Sequence, residues 1–132
     1  PFTKSNTEKL ERIQKKALRC LYNSYGRSSI SELIKKANLP PVTERNSVCR
    51  LKFLYQLANG HYKTDTSHIL IPSTGYATRI RHSQTFKPLM QRVNSFKYSV
   101  FPRTINDWNN LSEAVIQKSL VSFEEHLIRS VL

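Results

Sequence analysis

The side chains here that could ligate a metal or carry charge are four histidines, two cysteines, nine carboxylates and twenty-one lysines and arginines. His61, His68, His82 and His126 show no His-x₃₋₅-His spacing, and Cys20 and Cys49 form no CxxC pair. Those are the spacings that hold zinc, so no metal site is expected. The carboxylates are scattered, most of them at helix starts, and Asp65 and Asp107 have no acidic neighbours in sequence. Polymerase and nuclease chemistry needs clustered acids to hold metal ions. The three glycines are isolated, so a glycine-rich phosphate loop is missing too. The residues therefore predict no catalytic centre and no cofactor for this chain on its own.

The cations make a positive case. Lys9, Arg12, Lys16 and Arg19 recur at i, i+3, i+7 and i+10, with Lys15 beside them. That spacing lays them along one side of a helix. Arg27, Lys35, Lys36, Arg79, Arg81 and Arg103 lie on short elements nearby, as do Arg45, Arg50 and Lys52. Tyr22 and Tyr25 flank a turn beside Arg27, and Tyr76 precedes Arg79 and Arg81. Cations that meet phosphates, alternating with aromatic faces that meet bases, are how proteins hold single strands and heteroduplexes. The bland reading is a solvated charged face and half-buried tyrosines. A net charge of +12 favours a polyanionic partner. Residues 1 to 103 hold 19 basic and 5 acidic side chains, and residues 104 to 132 hold 2 and 4. The partner is expected to meet the first three-quarters of the chain. Trp108 lies beyond that charge, beside Asp107, and reads as a core anchor whose N–H is bonded internally.

Helices must position these cations. Ser5-Asn6-Thr7-Glu8 fits a capping box and predicts a first helix ending between Asn23 and Gly26, with Leu10, Ile13, Ala17, Leu18 and Leu21 as its apolar stripe. Glu8–Arg12 and Glu11–Lys15 have the spacing of helical ion pairs. Ser29-Ile30-Ser31-Glu32 predicts a second helix through Ala37, with Leu33, Ile34 and Ala37 inward. Pro40-Pro41 ends it and opens a third, Val42 to Asn59, stopped by Gly60. That helix reads as central, with Val48, Leu51, Leu54, Tyr55 and Ala58 inward and Cys49, Phe53 and Leu57 widening the face. Residues 61 to 82 have turn formers and no period, so a loop is expected. Residues 83 to 101 alternate like an irregular β-hairpin, with Pro88 at an edge. One helical turn at Asn106 to Leu111 and an amphipathic helix capped by Ser119 complete the chain.

At 132 residues this is one domain or part of one. A 39% hydrophobic content allows a modest core, to which thirteen aromatics contribute much of the buried area. No apolar run reaches the ~20 residues of a membrane span, and no signal-peptide pattern opens the chain. Two distant cysteines read as buried small hydrophobes in a reducing compartment rather than a disulfide framework, which argues against a small secreted peptide.

Several stretches read together resemble one family. LERIQKKALRCL (10–21) and LPPVTERNSVCRLKFLYQLANG (39–60) resemble the region after the polymerase palm in non-LTR, LINE-type retrotransposon reverse transcriptases of the Jockey and chicken-repeat-like group. FKYSVFPRTINDWNNLS (96–112) and SLVSFEEHL (119–127) resemble the far C-terminus of the same reading frames. There a Tyr-Lys-Ser-Phe-Phe-Pro-Arg-like run leads to Trp-Asn-x-Leu-Pro and a Ser-Leu-x-x-Phe helix. Leu111-Ser112 departs from the usual Leu-Pro, and Arg45-Asn46 from the two arginines that often follow glutamate.

The resemblance implies that residues 1–60 are a three-helix thumb-like segment and 61–132 a C-terminal extension packed with it as one unit. Pro1 would lie just past the last polymerase-proximal helix. The polymerase Asp-Asp signature and the endonuclease would lie upstream, and the Cys/His zinc knuckle of some relatives has no counterpart here. The expectation is a mainly α domain with a small hairpin, intracellular in cytoplasm and nucleus. It would hold RNA, RNA–DNA heteroduplex or DNA beside an upstream polymerase domain of the same polypeptide. The rival expectation is a non-catalytic protein-interaction or structural module that completes a larger fold.

Overall fold

A computed structural model describes residues 4–26, 29–73, 82–90 and 92–131. They form helices α1 (Lys4–Leu21), α2 (Ile30–Ala37), α3 (Val42–Ala58), α4 (Asn94–Lys97), α5 (Val100–Asn109), α6 (Glu113–Ile116) and α7 (Leu120–Val131). The protein is mainly helical, as its periodicity predicts.

The first three helices stop by the same device. Asn23, Asn38 and Gly60 take positive φ, at 48°, 48° and 69°. The following N–H groups turn back onto exposed helix carbonyls: Ser24 to Arg19, Leu39 to Ile34 and His61 to Gln56. Asn23, Asn38 and Gly60 add bonds to Cys20, Lys35 and Leu57. This double closure satisfies carbonyls that a helix end otherwise leaves open. Glycine and asparagine are the residues that enter the left-handed region at least cost.

The starts differ more from expectation. Helix α1 is already running at Lys4, which places Ser5 inside the helix rather than at its cap. Ser29 does occupy the N-cap of α2, but its hydroxyl meets that of Ser31 at 2.6 Å instead of a backbone N–H.

The chain divides into two compact units, Pro1–Asn46 with Val131–Leu132, and Ser47–Ser130. Residues 1–60 therefore contribute to both, α1 and α2 to the first and most of α3 to the second. In the first unit α1 packs against α2, with Leu18 and Leu33 buried. A polar clamp ties α1 to the start of α3. Buried Gln14 donates to the Pro40 carbonyl at 3.3 Å and accepts from Arg45 Nη2 at 2.6 Å. Glu11 accepts the Thr43 N–H at 3.3 Å.

In the second unit the core gathers around fully buried Trp108. Tyr55, Phe86 and Phe123 lie at ring-centroid distances of 6.4, 6.1 and 6.0 Å from it. Leu51, Leu54, Leu70, Ile105, Val115, Ile116 and Leu127 complete the cluster. The indole N–H donates to the Gln84 carbonyl at 2.8 Å, and Tyr55 donates to the Lys118 carbonyl at 2.7 Å. Both polar tips are thus satisfied inside the apolar cluster, as burial requires. The anchor reading of Trp108 holds.

The hairpin expected across 83–101 does not form. Its second arm is helix, α4 and then the first turn of α5. Pro102 is the third residue of α5, where a missing N–H loses no intrahelical bond, so Phe101-Pro102 belongs to a helix start. The expected turn at Asn106 to Leu111 is the end of that ten-residue helix. Among the described residues extended pairing is confined to a bridge between Pro72 and Phe86, with Ser73 N–H on the Thr85 carbonyl and Lys87 N–H on the Ile71 carbonyl. Asn109 then bonds both backbone groups of Phe86, at 3.0 and 2.8 Å, as a neighbouring strand would.

Two further expectations fail on burial. Cys20 and Cys49 are both exposed free thiols. Among the apolar stripe expected on α1 only Leu18 is buried, and Leu10, Ile13, Ala17 and Leu21 face outward. The register of α1 is set instead by Gln14 and Leu18, four residues apart on one face.

Candidate nucleic-acid interface

The proposed cations separate into groups by what they touch. In the first unit Lys9, Arg12, Lys15 and Lys16 are exposed along α1 and Arg19 is half-exposed in its last turn. Lys35 and Lys36 are exposed in the last turn of α2. Neither Glu8–Arg12 nor Glu11–Lys15 forms an ion pair. Among the described residues the ion pairs are Arg50–Asp107 and Lys52–Glu124, which leaves all seven of these cations without a carboxylate.

At 100° per residue, Lys9, Arg12, Lys16 and Arg19 occupy an arc of roughly 80° and run along about 15 Å of helix. Lys15 lies about 40° outside that arc. Three of the seven have a further role. Arg19, Lys35 and Lys36 stand in last helical turns, where a cation also offsets the helix dipole. Lys36 Nζ lies 4.9 Å from the centre of the Tyr22 ring, so that aromatic face already carries an ammonium. Tyr25 remains exposed. Arg27, Tyr76, Arg79 and Arg81 fall outside the described residues.

Arg103 is exposed on α5 in the second unit. The Arg45, Arg50 and Lys52 group is committed to structure. Arg45 bonds Gln14, and Arg50 spans Ser47 and Asp107 at 3.3 and 3.1 Å. Lys52 meets Glu124 at 2.6 Å. These three hold the fold; the charges of Arg50 and Lys52 are matched by carboxylates, whereas exposed Arg45 bonds a neutral amide and has no carboxylate among the described residues. Nothing in their local sequence marks the difference, because Asp107 and Glu124 lie 57 and 72 residues away.

Two features escaped the sequence reading. Gln14, inside the basic helix, is the buried clamp described above. Phe53, assigned to the apolar face of α3, is exposed and stands 5.7 Å from Tyr62 and 6.4 Å from Phe101, making a surface aromatic group. The helix register placed Phe53 near the apolar edge, but nothing local indicated Tyr62 or Phe101 beside it.

No group of three or more His, Cys, Asp or Glu among the described residues could hold a metal ion. His82 is buried. Its Nε2 meets the Trp108 carbonyl at 2.9 Å and its Nδ1 has no hydrogen-bond partner among the described residues. Asp65 and Glu113 titrate below the ordinary carboxylate range because each accepts bonds from a nearby serine, Ser67 and Ser83 respectively. Both serve local structure. No described helix is long and apolar enough to cross a membrane.

Scans against protein-family models, curated proteins and solved structures found no match to this chain.

Proposed function

We propose that the chain is a nucleic-acid-holding module that grips a phosphate backbone through α1 and the end of α2, as the C-terminal part of a retrotransposon reverse transcriptase. One contrast supports the reading. Arg50 and Lys52 are each matched to a carboxylate and Arg45 to Gln14, whereas Lys9, Arg12, Lys15, Lys16, Arg19, Lys35 and Lys36 have no acidic partner among the described residues. Cations left without a carboxylate along one side of a helix and at the end of the next suit a partner with repeating negative charge. Binding of this kind reads backbone charge rather than base sequence. The family assignment rests on the four quoted stretches, and catalysis would belong to an upstream polymerase domain.

The test is affinity for a labelled RNA–DNA heteroduplex across a salt series, with an Arg12→Ala/Lys16→Ala/Arg19→Ala variant alongside. A steep salt slope that becomes shallower in the variant supports the reading. Equal, shallow binding by both proteins would reject it. A second reading, a protein-interaction module, is favoured by one observation: the aliphatic side chains that α1 leaves in solvent.

A further inference from the structure

Helix α1 carries an apolar ribbon that unit 1 does not use. Leu10, Ile13 and Leu21 are 37%, 61% and 74% exposed, and Ala17 is exposed between them. At 100° per residue these four occupy an arc of about 80°, and they run for about 16 Å, three turns of helix. Scattered exposed aliphatics need no explanation, but a continuous helical row does. Its borders differ. Lys9 and Lys16 lie along one side, and on the other the buried pair Gln14 and Leu18 turns into the unit's interior.

From this asymmetry we infer that the ribbon docks one amphipathic helix of a partner protein. The partner's apolar seam covers Leu10, Ile13, Ala17 and Leu21, and its acidic flank faces Lys9 and Lys16. The width and length are those of a helix–helix seam. Charge selects the occupant. A second copy would bring another +12 chain to a lysine-rimmed surface, and like-charge juxtaposition opposes that pairing. A helix that lies on a bilayer carries Trp, Phe and Leu anchors on a face opposite a Lys/Arg-rich one, and its binding grows with the apolar area buried. This ribbon has a single cationic border and four aliphatic residues, without an aromatic. The inference extends the protein-interaction reading; it shares Lys9 and Lys16 with the phosphate-binding one and differs from it in resting on the aliphatic row.

The experiment uses the whole chain and two labelled sixteen-residue helical peptides. Both have a four-leucine seam, one flanked by glutamates and the other by lysines. Fluorescence anisotropy should show saturable binding of the glutamate peptide, at least tenfold tighter than the lysine peptide. Ile13→Gln/Leu21→Gln should weaken it tenfold or more while heteroduplex affinity and helical circular dichroism stay unchanged. Equal binding of both peptides, no saturable binding, or indifference to the double variant would overturn the inference. So would Ile13- and Leu21-dependent binding to phosphatidylserine vesicles or Ile13- and Leu21-dependent self-association in sedimentation, which would assign the ribbon to a membrane or a second copy. Loss of heteroduplex binding in an Arg12→Ala/Arg19→Ala variant, which keeps Lys9 and Lys16, reports on the phosphate reading separately.

Discussion

The imidazole of His82 stands edge-on to the indole of Trp108, centroids 5.8 Å apart and planes at 82°, while its Nε2 reaches the Trp108 carbonyl at 2.9 Å. A carbonyl can only accept, so the hydrogen sits on Nε2. With the indole N–H on Gln84, both the backbone and the side chain of Trp108 are held by the 82–84 segment. The loop before Phe86 is thereby pinned to α5.

Trp108 is the only tryptophan, so its fluorescence reports this site alone. Emission should be blue-shifted, resistant to acrylamide and unchanged when heteroduplex is added. A shift on adding heteroduplex would mean that the indole stacks on a base. Trp108→Phe should cost about 1–3 kcal/mol, from a carbonyl left without its donor, and Trp108→Ala about 3–5 kcal/mol. Urea denaturation measures both.

The two ion pairs should differ in worth. Side-chain exposure is 16% and 39% for Arg50–Asp107, and 35% on each side for Lys52–Glu124. Asp107→Ala leaves a mostly buried guanidinium whose Nε already has no partner, and should cost about 1.5–3 kcal/mol. Glu124→Ala breaks a half-open lysine pair and should cost about 0–1 kcal/mol. Comparable losses would mean that exposure does not set the scale here.

Glu113 accepts the Ser83 N–H at 2.7 Å, the Ser83 hydroxyl at 2.8 Å and the Gln117 amide at 2.7 Å, which stabilise its ionised form. Its pKa lies below the ordinary 4.5, chiefly through the two Ser83 bonds. The stabilisation is therefore complete above that ordinary value and is lost as pH falls through the lowered one. A carboxyl-carbon NMR titration should place the Glu113 midpoint below the exposed glutamates. Glu113→Gln should remove that share of the acid-side loss of stability.

Cys20 and Cys49 should both react with Ellman's reagent in the native protein, at rates near those in denaturant, because both are exposed. Protection of either thiol in native buffer would contradict the structure.

In the phosphate reading, removing Arg12, Lys16 and Arg19 should lower the salt slope by up to about three, since each neutralised phosphate contributes nearly one counterion. Replacing Arg50 should leave the slope unchanged and lower stability instead, because Arg50 is mostly buried and paired with Asp107.

Helix identity and helix ends were legible without coordinates wherever the governing physics is local. Helices α2 and α3 start and stop within a residue of expectation, because the Pro40-Pro41 pair and Gly60 act through their own φ angles, while Ser29 keeps the extended N-cap backbone without a side-chain bond to the helix. Asn23 falls at the edge of the span expected to end α1, whereas Asn38, which closes α2, was not singled out beside Pro40-Pro41. The core role of Trp108 could be read from the fall in charge around it.

What stayed hidden depends on partners distant in the chain. Alternation across 94–101 suits a strand or short helical turns, and packing and Pro102 decide for helix. On α1 the period defines faces but cannot say which one is buried. Gln14 takes that place because Pro40 and Arg45, 26 and 31 residues on, satisfy its amide. The same distance effect separates the structural arginines from the open ones. Backbone geometry and charge pattern are written residue by residue, whereas burial is a property of pairs and exists only once the chain has folded.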